Sequence, residues 1–320
     1  MRVKNLHLAT TLSTKGGITS VLKVILKLGD QHYHVPSHSD RSRWYSIVYF
    51  NIAITKSFAL RCENLLVHYG GEVSAFRKYV LSSLYRYNTL IVYQHVALND
   101  NNDDLGFWEK LLLEKADKII VLGATFIDRL GHLGKKAHVL GNFAEDSFNR
   151  IPKKNYVLYA GTFEERKGVK ELVIAFKDLN PLDWKLILVG AGEYEDALID
   201  LSRDKENIKI LSWMERKDLG SLMDETKIFC LPSKAEGLSV AIIEAISHNC
   251  LPVVTKVGCH LEYFGEHVIW CDPYSTASIA SALKDAIELV SQREYCGPRP
   301  LFEKEFRVER YIERLERVLS

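Results

Sequence analysis

A chain of 320 residues is long for a single core and comfortable for two domains of about 150 residues each. Its hydrophobic share of 47% and charged share of 26% are those of a globular protein, not of a disordered or fibrous one. A net charge of +1 argues against nucleic-acid binding through a strongly basic surface, so no nucleic-acid partner is expected. The six cysteines, at 62, 230, 250, 259, 271 and 296, form no C-x-x-C pair and no zinc-like spacing. Cys230, Cys250 and Cys271 lie in or beside apolar runs and read as buried small hydrophobes of a reducing compartment. No cleavable signal pattern is evident, and no run approaches the ~20 apolar residues that cross a bilayer. The expectation is a cytoplasmic protein, able to rest on the inner face of the membrane.

In chain order, Leu6–Ser13 reads as a first strand, Thr14–Ile18 as a turn and Ser20–Leu28 as a helix by its apolar spacing. Gly16 and Gly17 stand between that strand and helix, where a backbone can approach a ligand closely at a helix N-terminus; taken by themselves they read first as a plain tight turn. Gly29–Tyr45 is polar and rich in His, Ser and Arg, and reads as a loop. Ser46–Phe50, Asn64–His68, Thr89–Tyr93 and Lys118–Leu122 are short β-branched runs of the buried parallel kind, with helices expected near 52–61, 73–87, 106–116 and 124–132. Lys136–Leu140 closes the first half as a strand. Residues 141–155 combine turn formers with charge, as a linker does, and the strand–helix alternation then begins again. Strands are expected at 156–160, 185–189, 208–211, 228–231, 252–255 and 267–271, and helices near 169–179, 193–204, 215–225, 240–248 and 276–291. Residues 301–319 read as one amphipathic helix, with an apolar stripe of Phe302, Phe306, Tyr311, Leu315, Val318 and Leu319. Such alternation implies doubly wound parallel sheets with ligands at the C-terminal strand ends.

The most informative stretch is Ser233–Glu244, which reads as a turn and helix between two apolar strands. Glu236 and Glu244 lie eight residues apart, and at ~100° per helical residue that spacing rotates one from the other by only about 80°. Both carboxylates can therefore face one ligand, beside the N–H groups that a helix start leaves free. Glu244 offers two acceptor oxygens to a ribose diol, and Glu236 suits sugar hydroxyls. Gly237, Leu238 and Ser239 offer N–H groups to a diphosphate, and Ser239 is placed to cap the helix. Ordinary roles as a first-turn helix acid and an exposed loop acid read from the same residues. Arg166 and Lys167 precede a helix start, where a cation and the helix dipole together suit a phosphate. Gly190 and Gly192 end the next strand and lack the full dinucleotide fingerprint. His68 and His95 both end strands, and a hydrogen-bonded structural role is the simpler reading of a lone histidine. The Asp100–Asp104 run reads as a solvated loop in preference to a metal site, and no metal is expected. Arg41, Arg43, Arg77, Lys78 and Arg86 read as scattered surface charge, with a basic face for an anionic lipid as the alternative.

Lys234–Ala245, with Leu251–Val254 and Val257–Cys259 after it, resembles the E-x7-E region of retaining glycosyltransferases of the GT-B fold, family 4. The resemblance extends through Gly161…Arg166-Lys167-Gly168, Leu188–Gly192 and Gly141-Asn142; in the first half it rests only on Lys15–Gly17 and the strand ending in His95. It implies two Rossmann-like doubly wound domains facing a central cleft: an acceptor-side domain at 1–148, a nucleotide-sugar domain at 149–300, and a helix at 301–320 crossing back to the first. It implies a nucleotide-sugar donor and a saccharide or lipid-linked acceptor, as in cell-surface polysaccharide or glycolipid assembly, with retention of anomeric configuration and no cofactor or metal. Lys167 would meet the diphosphate together with Arg166, Glu244 the ribose, Glu236 the donor sugar, and His95 the reacting sugar, with Gly16 and Gly17 closing over the phosphates. The chain departs from the family pattern at Thr162, where an arginine is common, at Asn249, where a glycine is expected, and at Cys259, the second glycine of a Val-Gly-Gly turn. A sugar-nucleotide epimerase or hydrolase of the same fold, or a non-catalytic nucleotide-sugar-binding protein, are the alternatives that this pattern allows.

Overall fold

The computed structural model describes residues 2–13, 17–27, 31–39, 43–95, 105–292 and 295–320. It divides into a first unit, residues 1–142 with 309–320, and a second unit, residues 143–308. The strands of the first unit are β1 (Arg2–Thr10), β2 (His32–His38), β3 (Arg61–Tyr69), β4 (Thr89–Gln94), β5 (Lys118–Val121) and β6 (Ala137–Val139). All pair in parallel, in the order β2-β1-β3-β4-β5-β6. Continuous apolar runs suit such a sheet because helices cover both faces, and Leu6, Leu8, Leu65, Val67, Leu90 and Val92 are accordingly buried. Chain order reverses between β1 and β3, the place where an open α/β sheet leaves a crevice at its C-terminal strand ends.

Two local expectations fail in this unit. The polar stretch read as a loop contains the edge strand β2, and Ser46–Phe50, read as a strand, lies inside the helix Arg43–Ser57. An edge strand needs an inward residue only at alternate positions; here Val35 and Ser37 supply them, so little apolar signal is left. A five-residue apolar run does not distinguish strand from helix by periodicity. Nor does the helix bury its apolar residues as a core helix would: Trp44, Tyr45, Ile47, Val48 and Ile52 are exposed. Lys78 is a further correction, because the helix Glu72–Leu84 turns it fully inward.

The second unit carries β7 (Lys154–Ala160), β8 (Lys185–Val189), β9 (Ile208–Leu211), β10 (Thr226–Leu231), β11 (Leu251–Thr255) and β12 (Ile269–Cys271). These are also all parallel, in the order β12-β11-β10-β7-β8-β9, with helices Val169–Leu179, Glu195–Ser202, Arg216–Glu225 and Val240–Ser247 between them and Thr276–Val290 after β12. The reversal of order falls between β7 and β10. Cys230, Cys250 and Cys271 are buried free thiols, as their apolar neighbours imply. Asn249 ends the helix Val240–Ser247 in the left-handed conformation, φ 59°, which asparagine tolerates better than most residues.

The C-terminal segment is two helices, Arg299–Glu305 and Val308–Leu319, not one. Phe302 and Phe306 are buried in the second unit, where Phe306 packs on Tyr263 and Phe264. Residues 309–320 group with the first unit. There Tyr311 Oη donates to Tyr93 Oη at 3.3 Å, Asn64 Nδ2 donates to the Leu319 carbonyl and Lys118 Nζ to the Val318 carbonyl.

Candidate active site

The turns after β7 and β10, the two strands flanking the reversal in the second sheet, hold the charged residues that the sequence singles out. After β7 the chain makes a short 3-10 turn, Glu165–Lys167, and Gly168 then adopts φ +66° to enter the helix Val169–Leu179. A Cβ on Gly168 would lie 2.2 Å from the Pro232 carbonyl oxygen, so only glycine lets the turn after β7 approach the turn after β10. The approach is fixed by the Lys234 amide, which donates to the Arg166 carbonyl at 2.7 Å. Lys167 Nζ then reaches Glu236 Oε1 at 2.5 Å, with both side chains largely buried. Burial opposes the charge on Glu236, but the Lys167 ammonium outweighs it and, with His260, holds the carboxyl below the ordinary carboxylate range. Arg166 extends along the same seam toward the Ala235 carbonyl, 3.5 Å away, and pairs with Glu164. Lys234 is engaged by Glu171 at 2.8 Å, which raises its pKa.

Glu236 is supported from behind by the turn after β11. Gly258 takes φ +56° with its Cα against the Glu236 and Gly237 carbonyls, and the Cys259 amide and Sγ both reach the Gly237 oxygen, at 3.1 and 3.2 Å. His260, which sequence reasoning missed, is fully buried in this layer. Its Nδ1 stands 3.0 Å from the Thr255 carbonyl, which can only accept, so Nδ1 carries the hydrogen and Nε2 is left as an acceptor. That Nε2 is buried without a hydrogen-bond partner among the described residues, and burial lowers the pKa of the ring. The signal available in the sequence was its place immediately after the Val257-Gly258-Cys259 turn.

Glu244 lies one helix along and has a different cation. Arg216, at the first position of the helix Arg216–Glu225, donates from Nη2 to Glu244 at 2.7 Å and from Nη1 to Glu145 at 3.0 Å. Sequence reasoning missed Arg216 too; its mark was a basic residue opening the helix that follows β9. Glu145, Ser147, Arg216, Gly220, Glu244 and His248 line a cavity of about 270 Å³. One wall is braced by a buried His248–Asp224 pair, 2.6 Å apart, and His248 Nε2 reaches Ser147 Oγ at 3.2 Å. The structure thus joins Glu236 to Lys167 and Glu244 to Arg216, so the two carboxylates of the eight-residue spacing hold two separate positions.

The remaining predicted residues are placed as follows. Ser239 occupies the N-cap position of Val240–Ser247 without a side-chain capping hydrogen bond, and Leu238 beside it is buried. Gly190 and Gly192 are glycines for a packing reason: a Cβ would lie 1.9 Å from the Gly161 oxygen and 2.5 Å from the Phe163 oxygen, respectively. Thr162, in the position where an arginine is common, turns its Oγ1 into a buried place without a hydrogen-bond partner among the described residues. In the first unit, Gly17 opens the helix Gly17–Lys27, while Gly16 and the Asp100–Asp104 run lie outside the described residues. His95 follows β4 directly, stacks on Tyr93 at 4.1 Å and hydrogen-bonds His68. Among the described residues no group of three or more His, Cys, Asp or Glu is arranged to hold a metal ion, and no helix is long and apolar enough to cross a membrane.

The model of the family described as "Glycosyl transferases group 1" matches residues 142–299. An uncharacterized glycosyltransferase YqgM of Bacillus subtilis is 31% identical over 170 residues, 48% of this chain and 46% of its own. The O-antigen chain mannosyltransferase B of Escherichia coli is 29% identical over 156 residues, 46% of this chain and 41% of its own. The matched stretch thus spans less than half the length of each of these relatives. Among solved structures, HepE of Anabaena in complex with UDP and glucose superposes with a TM-score of 0.80 over 99% of both chains at 13% identity. Sucrose-phosphate synthase of Thermosynechococcus elongatus does so with 0.78 over 98% of both chains at 14% identity. These likenesses establish the GT-B fold: two six-stranded parallel sheets flanked by helices.

Proposed function

We propose, from the match of residues 142–299 to the model of the glycosyl transferases group 1 family, that the protein transfers a sugar from a nucleotide-diphosphate donor to a hydroxyl acceptor in cell-surface polysaccharide or glycolipid assembly. The observation that carries this reading is the Lys167–Glu236 pair at 2.5 Å, built where strand order reverses in the second sheet. A sugar diphosphate breaking its glycosidic bond leaves charge on the phosphate oxygens. A preorganised ammonium stabilises that charge without a metal, and a carboxylate beside it accepts hydrogen bonds from sugar hydroxyls. We assign Lys167 and Arg166 to the diphosphate, Glu236 to the donor sugar, and Glu244 with Arg216 to the ribose. The acceptor belongs to the first unit at the C-terminal end of β4, where His95 stands, and transfer retains the anomeric configuration.

Nucleotide sugars that bind only the folded chain raise its melting temperature, so a thermal-shift screen identifies the donor. Uridine diphosphate sugars come first, since the HepE complexes hold UDP. Glu244→Ala is expected to abolish that shift while the protein alone melts within a few degrees of the unsubstituted chain. No shift with any nucleotide sugar would defeat the reading, and conversion of donor without an acceptor would favour an epimerase or hydrolase.

The exposed Trp44, Tyr45, Ile47 and Val48 on the helix Arg43–Ser57 favour a lipid-linked acceptor. An apolar helix face with aromatic residues lies at the headgroup boundary of a bilayer. Sedimentation with anionic vesicles is expected to carry the protein down, and Trp44→Asp with Ile47→Asp to leave it in solution. Equal sedimentation of the two would dismiss membrane contact through this helix.

A further inference from the structure

His95 is the end of a longer series. The registers His7↔His34, His7↔Leu66 and His68↔Tyr93 put His32, His34, His7, His68 and Tyr93 on one face of the first sheet. The His95 amide still donates to the Tyr69 carbonyl at 3.0 Å, so the ladder carries His95 onto that face as well. Their rings meet nitrogen to nitrogen. His32 Nδ1 is 2.9 Å from His7 Nε2, His7 Nδ1 is 3.0 Å from His68 Nε2, and His68 Nδ1 is 3.0 Å from His95 Nε2. His7 and His68 are buried, whereas His32, on the edge strand, and His95, at the C-terminal end of β4, are both partly exposed.

A neutral imidazole has one N–H and one bare nitrogen. Three consecutive bonds among four neutral rings are therefore all made only when every ring has the same tautomer. Either every proton is on Nε2 and the series points toward His32, or every proton is on Nδ1 and it points toward His95. A buried structural histidine needs one or two partners of any kind. Four in line, sealed in the middle and open at both ends, form a path.

We propose that His32, His7 and His68 are a proton relay that serves His95. The identity of the proton rests on the transfer reading above: the acceptor oxygen bonds to the sugar carbon, the sugar–phosphate bond breaks with its electron pair leaving on the diphosphate, and the acceptor hydroxyl releases its proton. His95 Nδ1 takes it, and His95 Nε2 passes its own proton to His68 Nδ1. His68 Nε2 passes one to His7 Nδ1, His7 Nε2 one to His32 Nδ1, and His32 Nε2 one to water. One proton enters, one leaves, and all four tautomers are reversed.

The surroundings explain why a relay is needed. Burial holds His95 down to about 3 and drives His7 and His68 well below the usual histidine value. Lys78 and His34 face His68, Lys4 and Glu316 face His32, and Glu316 alone of these favours a cation. A lone His95 is thus a poor base. A ring that gives up one proton as it gains another never becomes an imidazolium.

Ring-nitrogen NMR of the whole chain with 15N-labelled histidine tests the path, and a transfer assay tests its use. Expected are through-hydrogen-bond N–N couplings for His7–His68 and His68–His95, with neither His7 nor His68 titrating between about pH 5 and 8. His32→Ala, a change at a partly exposed edge, is expected to slow solvent exchange of the His7 ring N–H by about tenfold and turnover by about a hundredfold, with donor KM unchanged. Added imidazole is expected to restore both. Missing couplings, or exchange unaltered in His32→Ala, would overturn the relay; so would couplings that survive in His68→Asn. Slowed exchange in a protein that transfers no sugar would leave the relay standing and remove the transfer reading alone.

Discussion

Lys167→Ala is expected to lower kcat/KM for sugar transfer by about 100- to 1,000-fold, the usual cost of removing one preorganised group from a developing charge. It should also destabilise the second unit. The Lys167–Glu236 pair is largely buried, and deleting one partner of such a pair strands the other charge, at a cost of about 3–5 kcal/mol. The pH dependence separates these effects. In the intact protein the Glu236 carboxyl is held below its unfolded value, so its contribution is present above about pH 4.3 and is lost as pH falls through the lower folded value. Without Lys167, burial is opposed only by His260 and Ser233 and should raise the folded pKa above the unfolded one. The variant is then penalised at neutral pH, and the penalty shrinks as the buried carboxyl takes up a proton. Urea unfolding of Lys167→Ala at neutral and mildly acidic pH should show the deficit narrowing toward acid. Lys167→Met with Glu236→Gln removes both charges and should recover most of the stability and none of the transfer. Recovery of transfer in that double variant would mean that the pair is structural only.

Why this site was legible, and the relay was not, follows from where each stores its signal. Lys167, Gly168, Glu236 and Gly258 lie in turns directly after buried strands whose apolar runs fix their ends within a residue or two, as at Lys185–Val189 and Ile208–Leu211. A turn located that well shows its charged residues in the sequence itself. Arg216 escaped because its partner Glu244 lies on another helix, and His260 because its bond to the Thr255 carbonyl is made only once the turn after β11 has closed. The first unit hides more. Its edge strand β2 is polar because one face carries His32 and His34, and of the two residues that face inward, Val35 and Ser37, only Val35 is apolar; Ser37 Oγ donates to the Ala9 carbonyl at 2.9 Å. The helix Arg43–Ser57 exposes apolar residues that a core helix would bury, so its pattern mimics a strand. A histidine relay has no spacing rule in one dimension: His7, His32, His68 and His95 are brought into line only by the registers of four parallel strands.

Gly258→Ala is expected to be among the most damaging single methyls in the second unit, and comparison with Gly131→Ala shows why. Both glycines adopt a left-handed backbone, φ +56° and φ +54°, so both substitutions cost about 1–2 kcal/mol for conformation alone. At Gly131 an added Cβ meets nothing within 4 Å. At Gly258 it would lie 2.2 Å from the Gly237 oxygen and 2.3 Å from the Glu236 oxygen, and these are backbone atoms that cannot rotate away. The turn after β10 must move as a whole, which breaks the Cys259 bonds to Gly237 and shifts Glu236 away from Lys167. The total cost should exceed about 4 kcal/mol, against about 1–2 for Gly131→Ala, and it should fall on the donor site even in molecules that remain folded. Urea midpoints for the two variants measure the first part, and the donor-induced thermal shift measures the second. Equal destabilisation by the two would mean that Gly258 is needed only for its backbone angle. A donor response lost with Gly258→Ala and kept with Gly131→Ala is the outcome expected if the turn after β11 holds Glu236 in position.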